Sequence, residues 1–162
     1  FHIRRELTTG FAWRHAAWIA LLFAGLGTAI AAATWAIFPD RFLAFPLYRP
    51  QLWLLILLLY PLFSVIPQEL VYRTFFFHRY GPLFGNARWA AVLVNGGLFG
   101  FAHIIFNNPI AVLGCTLIGA VIAYRYWMTR SFWAAWLEHA LYGGLVFTVG
   151  LGQFFFTGVS NF

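Results

Sequence analysis

The chain has 162 residues, of which 62% are apolar and 9% charged, against about 25% charged in an average soluble domain. Its acids are Glu6, Asp40, Glu69 and Glu138, its ten basic residues are all arginine, and the formal charge is +6. Such hydrophobicity excludes disorder, a lone cysteine (Cys115) excludes a disulfide framework, and so few charges cannot cover a soluble enzyme's surface.

The arginines stand in ones and twos between apolar runs, as in membrane proteins, and form no clustered patch for nucleic acid. Residues 1–15 mix Arg4, Arg5 and Arg14 with Phe, Ile, Leu and Trp, the make-up of a segment lying on a membrane surface. Residues 16–38 carry no charge and, at about 1.5 Å per residue, exceed the ~30 Å of a bilayer core. A second run begins at Leu52 and passes Pro61 and Pro67, which predict a kink, before reaching His78 and Arg79. A third covers roughly 89–106 and is broken by Asn107, Asn108 and Pro109. A fourth covers roughly 110–128, and a fifth runs from near Ser131 to about Phe156. No repeat or low-complexity linker divides the chain. Residues 1–162 therefore read as one membrane domain, an all-α transmembrane bundle of about five spans.

If the spans alternate, Arg4, Arg5, Arg14, Arg79, Arg88, Arg125 and Arg130 fall on one side, and Arg41 and Arg49 on the other. The positive-inside rule then predicts a cytoplasmic N-terminus, and a bacterial inner membrane is the expected location. Small residues predict where helices pack. Gly96 and Gly100 form GxxxG on the third span, and Ala111, Cys115, Gly119 and Ala123 recur every four positions on the fourth. Cys115 reads as part of that packing face, since no polar residue stands near it to activate a nucleophile.

Ionisable groups inside a membrane are costly, so they usually face the bundle interior and serve a purpose. Here they are Glu69 and Arg73 with Gln68 on the second span, His103 with Asn95 on the third, and Glu138 and His139 on the fifth. Glu69 and Arg73 are four apart and share a helix face, whereas Gln68 is turned by about 100°. His103 lies on the stripe of Gly96, Phe99, Gly100 and Asn107, and His139 on that of Ala135 and Gly143. With Arg79, Arg88 and Arg130 as surface markers, Glu69 comes out ~15 Å deep, His139 ~13 Å and His103 ~22 Å. That leaves His103 too deep for direct contact unless the third helix starts after Ala90. Glu138 is expected to pair with Arg125, Arg130 or Arg73. Glu6 and Asp40 fall at the membrane margins.

A carboxylate with an imidazole can hold and deprotonate water, and a second imidazole can donate to the oxyanion formed at a peptide carbonyl. Glu69, His103 and His139 could instead hold zinc, the lesser alternative because no HExxH spacing supports it. A purely structural Glu69–Arg73 pair is also open.

Three segments carry a family resemblance. Pro67-Gln68-Glu69-Leu70-Val71-Tyr72-Arg73 resembles the EExxxR motif of the CAAX-protease and bacteriocin-processing family, called CPBP or ABI. Phe99-Gly100-Phe101-Ala102-His103 is similar to its FxxxH motif, and Glu138-His139-Ala140-Leu141-Tyr142-Gly143 to its HxxxN motif. The resemblance covers roughly 60–150. It implies an all-helical intramembrane protease in which the first Glu and the FxxxH His activate water, and the third-motif His and Asn support the oxyanion. The second Glu and the Arg stabilise the site. Implied substrates are prenylated CAAX proteins or bacteriocin-like peptides.

Two positions depart from the pattern. Gln68 replaces the first Glu, and Gly143 replaces the third-motif Asn. Gln cannot take a proton as a base, and loss of one oxyanion donor costs about 10²–10³ in rate. Two functions follow. One is an intramembrane endopeptidase acting on membrane-held peptide or protein, in which Glu69 with His103 activates water, His139 supports the oxyanion and Arg73 positions Glu69. The other is a non-catalytic subunit that binds or assembles a larger membrane complex, with lipid or pigment on its aromatic surface.

Overall fold

The computed structural model describes residues 3–8 and 11–155. Among these, every regular element is helical, and four helices are long and apolar enough to cross a membrane. They are span one (Trp13–Ile37), span two (Pro50–Arg79), span three (Arg88–Phe106) and span four (Pro109–Thr129). The chain is an integral membrane protein in contact with lipid. The fifth apolar run forms helix Phe132–Thr148, whose 17 residues lie at the lower limit for a crossing, roughly 17–25 residues. A 3-10 turn, Leu151–Phe155, follows it. The predicted end at Phe156 lies outside the described residues, as do positions 1, 2, 9 and 10 of the expected surface segment.

Prolines and asparagines set the boundaries. Span one stops at Phe38, which precedes Pro39 and has left the helical region. Pro50 opens span two and Pro109 opens span four, each in the first turn, where a missing N–H costs nothing. Between spans three and four, Asn107 is left-handed (φ 53°), a conformation Asn tolerates. Asn108 then caps span four, its Oδ1 accepting from the Ala111 N–H at 2.8 Å. Ser131 caps the fifth helix in the same way, through the Ala134 N–H.

The expected kink in span two takes a specific form. Pro61 begins a π-helical turn, Pro61–Val65, and a second one covers Leu70–Phe75. Proline removes a ladder donor and crowds the carbonyl four residues back, so the ladder shifts there to the wider i→i−5 spacing. The Pro61 carbonyl bonds outward instead, accepting from the Trp136 indole N–H at 2.8 Å.

Spans three and four pack closest. A Cβ on Gly96 would lie 2.8 Å from the Ala120 backbone nitrogen, and one on Gly100 would lie 2.7 Å from the Val112 carbonyl. The facing positions on span four are thus Val112, Thr116 and Ala120, one residue along from the predicted stripe. Of that stripe, Gly119 receives the Phe99 ring, Ala111 and Ala123 are buried, and Cys115 is partly buried. The fifth helix occupies the centre, touching spans one, two and four and burying Ala134, Ala135, Glu138, His139 and Tyr142. Trp18, Trp35, Leu58, Phe63 and Leu117 point outward, where lipid covers them.

Helix Ile3–Thr8 docks on the end of the bundle that carries Arg79 and Arg130. Glu6, placed by sequence at a margin, is buried there. Its carboxylate meets His78 Nε2 at 2.6 Å and accepts from the Tyr126 hydroxyl at 2.8 Å. This ties the N-terminal helix to the same side as the ends of spans two and four.

Candidate active site

Span two supplies the centre of the site. Glu69 and Arg73 lie on either side of the start of the second π turn, four residues apart, and both are fully buried. Glu69 Oε2 faces Arg73 Nε at 3.6 Å, an ion pair without a hydrogen bond. Arg73 Nη1 donates to Asn95 Oδ1 at 2.7 Å, and its guanidinium stacks 4.8 Å from the centre of the Phe99 ring. Asn95 in turn donates through Nδ2 to the Tyr72 carbonyl at 2.5 Å. The π turn explains that bond. The Phe76 N–H goes to Val71 and Arg73 rather than Tyr72, so the Tyr72 carbonyl accepts from a side chain.

The other Glu69 oxygen leads to the fifth helix. Oε1 lies 2.7 Å from His139 Nδ1, and His139 Nε2 lies 3.0 Å from the Tyr60 hydroxyl. Carboxylate, imidazole and phenol thus form one hydrogen-bonded series drawn from two helices. Sequence reasoning missed Tyr60, since a tyrosine in an apolar run beside a proline reads as an interfacial anchor.

His103 stands apart from this series. It heads the 3-10 turn His103–Phe106, is partly exposed, and meets the Phe99 carbonyl through Nδ1 at 2.7 Å. Phe99 separates the two imidazoles, with ring centres 4.7 Å from His103 and 5.4 Å from His139. The expected Glu69–His103 partnership is therefore not a hydrogen bond in the structure; Glu69 bonds His139. The raw depth arithmetic anticipates this, and the assumed later start of span three does not hold, since the helix begins at Arg88.

Gln68 turns away from Glu69, as its angle predicts. Its Nε2 donates to Ser64 at 2.8 Å, and its Oε1 is buried with no hydrogen-bond partner. Glu138 takes Arg125, the first of its three candidate partners, in a two-pronged pair at 2.9 and 3.3 Å. It has no contact with Glu69 or His139 through hydrogen bonds. No three His, Cys, Asp or Glu side chains among the described residues are grouped to hold a metal ion.

A family model described as type II CAAX prenyl endopeptidase Rce1-like matches residues 50–145, more than half of the chain. The chain belongs to that Rce1-like family. No curated protein and no solved structure matches it. The matched region contains Tyr60, the three motif segments, His103 and His139. It leaves out span one and the N-terminal helix. In this Rce1-like chain the second motif acid, Glu69, is sealed between Arg73 and His139, while the position before it offers an amide rather than a carboxylate.

Proposed function

We propose that the protein is an intramembrane endopeptidase that hydrolyses a membrane-held peptide with water activated at His103. The observation that supports this most is the state of the His103 ring. A backbone carbonyl can only accept, so the nitrogen facing the Phe99 oxygen carries the hydrogen. In the neutral ring Nε2 is then a bare lone pair, and no described residue occupies it. A tautomer locked by one hydrogen bond, with the second nitrogen open, is what a general base requires.

Gln68 is not the base, since its Nε2 donates to Ser64 and an amide takes up no proton. His103 takes the proton of the attacking water through Nε2. The hydroxide adds to the peptide carbonyl carbon, the carbonyl electron pair moves to oxygen, and on collapse the C–N bond breaks while His103 returns the proton to the leaving nitrogen. Glu69, with no exposed surface, orients His139 rather than meeting water. Arg73 and Asn95 hold Glu69 in place.

The arginine distribution supports a cytoplasmic N-terminus in a membrane such as the bacterial inner membrane. The side that carries helix Ile3–Thr8 also carries Arg79, Arg88 and Arg130.

The test is cleavage by the purified protein in phospholipid vesicles, with a farnesylated CAAX peptide and a transmembrane peptide as substrates and mass spectrometry as readout. Wild type is expected to cut at least one, and His103→Ala to lose about 10²–10⁴ of the rate. Unchanged cleavage by His103→Ala overturns the base assignment. A wild type that cuts neither peptide overturns the peptidase reading in favour of a non-hydrolysing membrane subunit.

A further inference from the structure

His139 has no nitrogen left to offer a substrate. Nδ1 is taken by Glu69 at 2.7 Å and Nε2 by the Tyr60 hydroxyl at 3.0 Å. The series ends in that hydroxyl, which has one proton to give and two lone pairs. The Tyr60 ring is held edge-on to His139 and to Phe147, with centres 6.1 and 5.5 Å away.

Gly143 explains how the phenol comes to be there. A Cβ at 143 would overlap the Tyr60 hydroxyl and ring, with Cζ only 2.6 Å away. The side chain missing from the fifth helix and the phenol supplied by span two therefore occupy one volume. Gly144, its neighbour, meets only the tip of Leu57 at 3.2 Å, so the crowding is specific to 143.

Resting on the peptidase reading above, we propose that Tyr60 is the oxyanion donor of this site and that Gly143 is the vacancy that admits it. At rest the phenolic O–H is held by His139 Nε2, with Nδ1–H given to the Glu69 carboxylate. When hydroxide adds to the substrate carbonyl, the new oxyanion is a stronger acceptor than a neutral imidazole. The O–H turns about its Cζ–Oη bond to the oxyanion and returns to Nε2 when the tetrahedral species collapses. No proton leaves Tyr60, so the balance of the hydrolysis is unchanged. His139 and Glu69 act through Tyr60 as positioning residues.

Tyr60→Phe keeps the ring and deletes the donor. In the vesicle assay it is expected to lower kcat by about 10²-fold with KM held within about threefold, the pattern of a donor used only in the transition state. Its thermal midpoint in detergent stays near wild type. The steric half is read without activity: Gly143→Ala lowers the midpoint when Tyr60 is present and does not lower it in a Tyr60→Ala background, where helix propensity favours alanine. Gly143→Asn is expected to restore part of the cleavage lost in Tyr60→Ala. Full activity of Tyr60→Phe beside an active wild type overturns the donor role alone. Equal effects of Gly143→Ala in both backgrounds overturn the shared volume. An inactive wild type instead overturns the peptidase reading, and the donor role falls with it.

Discussion

Removing Arg73 leaves the Glu69 carboxylate without its cation in a fully buried place. At 3.6 Å, a unit charge pair at an effective dielectric constant near 20 is worth about 4–5 kcal/mol. Arg73 also contributes a hydrogen bond to Asn95 and a stacking contact with Phe99. Part of the loss is recovered because His139 stays on Oε1. Arg73→Met is therefore expected to destabilise by ~3 kcal/mol, near the lower end of the range for breaking a buried pair. Glu69→Gln in the same background removes the stranded charge, so the double variant is expected to regain about 2 kcal/mol. The measurement is equilibrium unfolding in mixed micelles by titration with a denaturing detergent, followed by tryptophan fluorescence. If the two single losses add to within about 0.5 kcal/mol in the double variant, the pair is not coupled and the argument fails.

Two further outcomes test the packing. Gly96→Ala is expected to cost about 1–3 kcal/mol, since its Cβ would press on the Ala120 backbone. Gly97→Ala meets nothing within 4 Å and is expected to gain up to about 1 kcal/mol from helix propensity. The same unfolding titration checks both, and equal losses at 96 and 97 refute the close approach of spans three and four. Asn108→Ala deletes the cap of span four and the Nδ2 bond to the Phe154 carbonyl, at 2.7 Å. It is expected to cost about 1–2 kcal/mol. Hydrogen exchange at the Ala111 amide, which loses its acceptor, should then accelerate, and unchanged protection there refutes the cap.

Composition alone carried the class of molecule. A chain this poor in charge has no way to dissolve, and its apolar runs are as long as a bilayer is thick. Local chemistry carried the break between spans three and four, because Asn107, Asn108 and Pro109 act on their own backbone wherever the rest of the chain lies. The motif segments carried the family. Close approach on span three was also legible at Gly96 and Gly100, while the span-four positions that meet them, Val112, Thr116 and Ala120, lie one residue along from the small-residue stripe. Small side chains permit contact without saying which neighbouring stripe fills the gap.

The pairings inside the bundle were decided only by tertiary structure. Glu69 meets His139 because the packing of span two against the fifth helix brings those two residues together, whereas His103 reaches only the Phe99 that packs against both imidazoles. Tyr60 shows the limit most clearly. Nine residues separate it from Glu69, which on an ideal α-helix, at about 100° per residue, places the two about 180° apart. The π turn at Pro61–Val65 takes up about one extra residue, and the angle falls to roughly 80°. That change of phase brings the phenol round to His139. The sequence by itself determined that polar groups would be sheltered from lipid; the widened turn, a property of how the proline-bearing helix packs, determined which of them would touch.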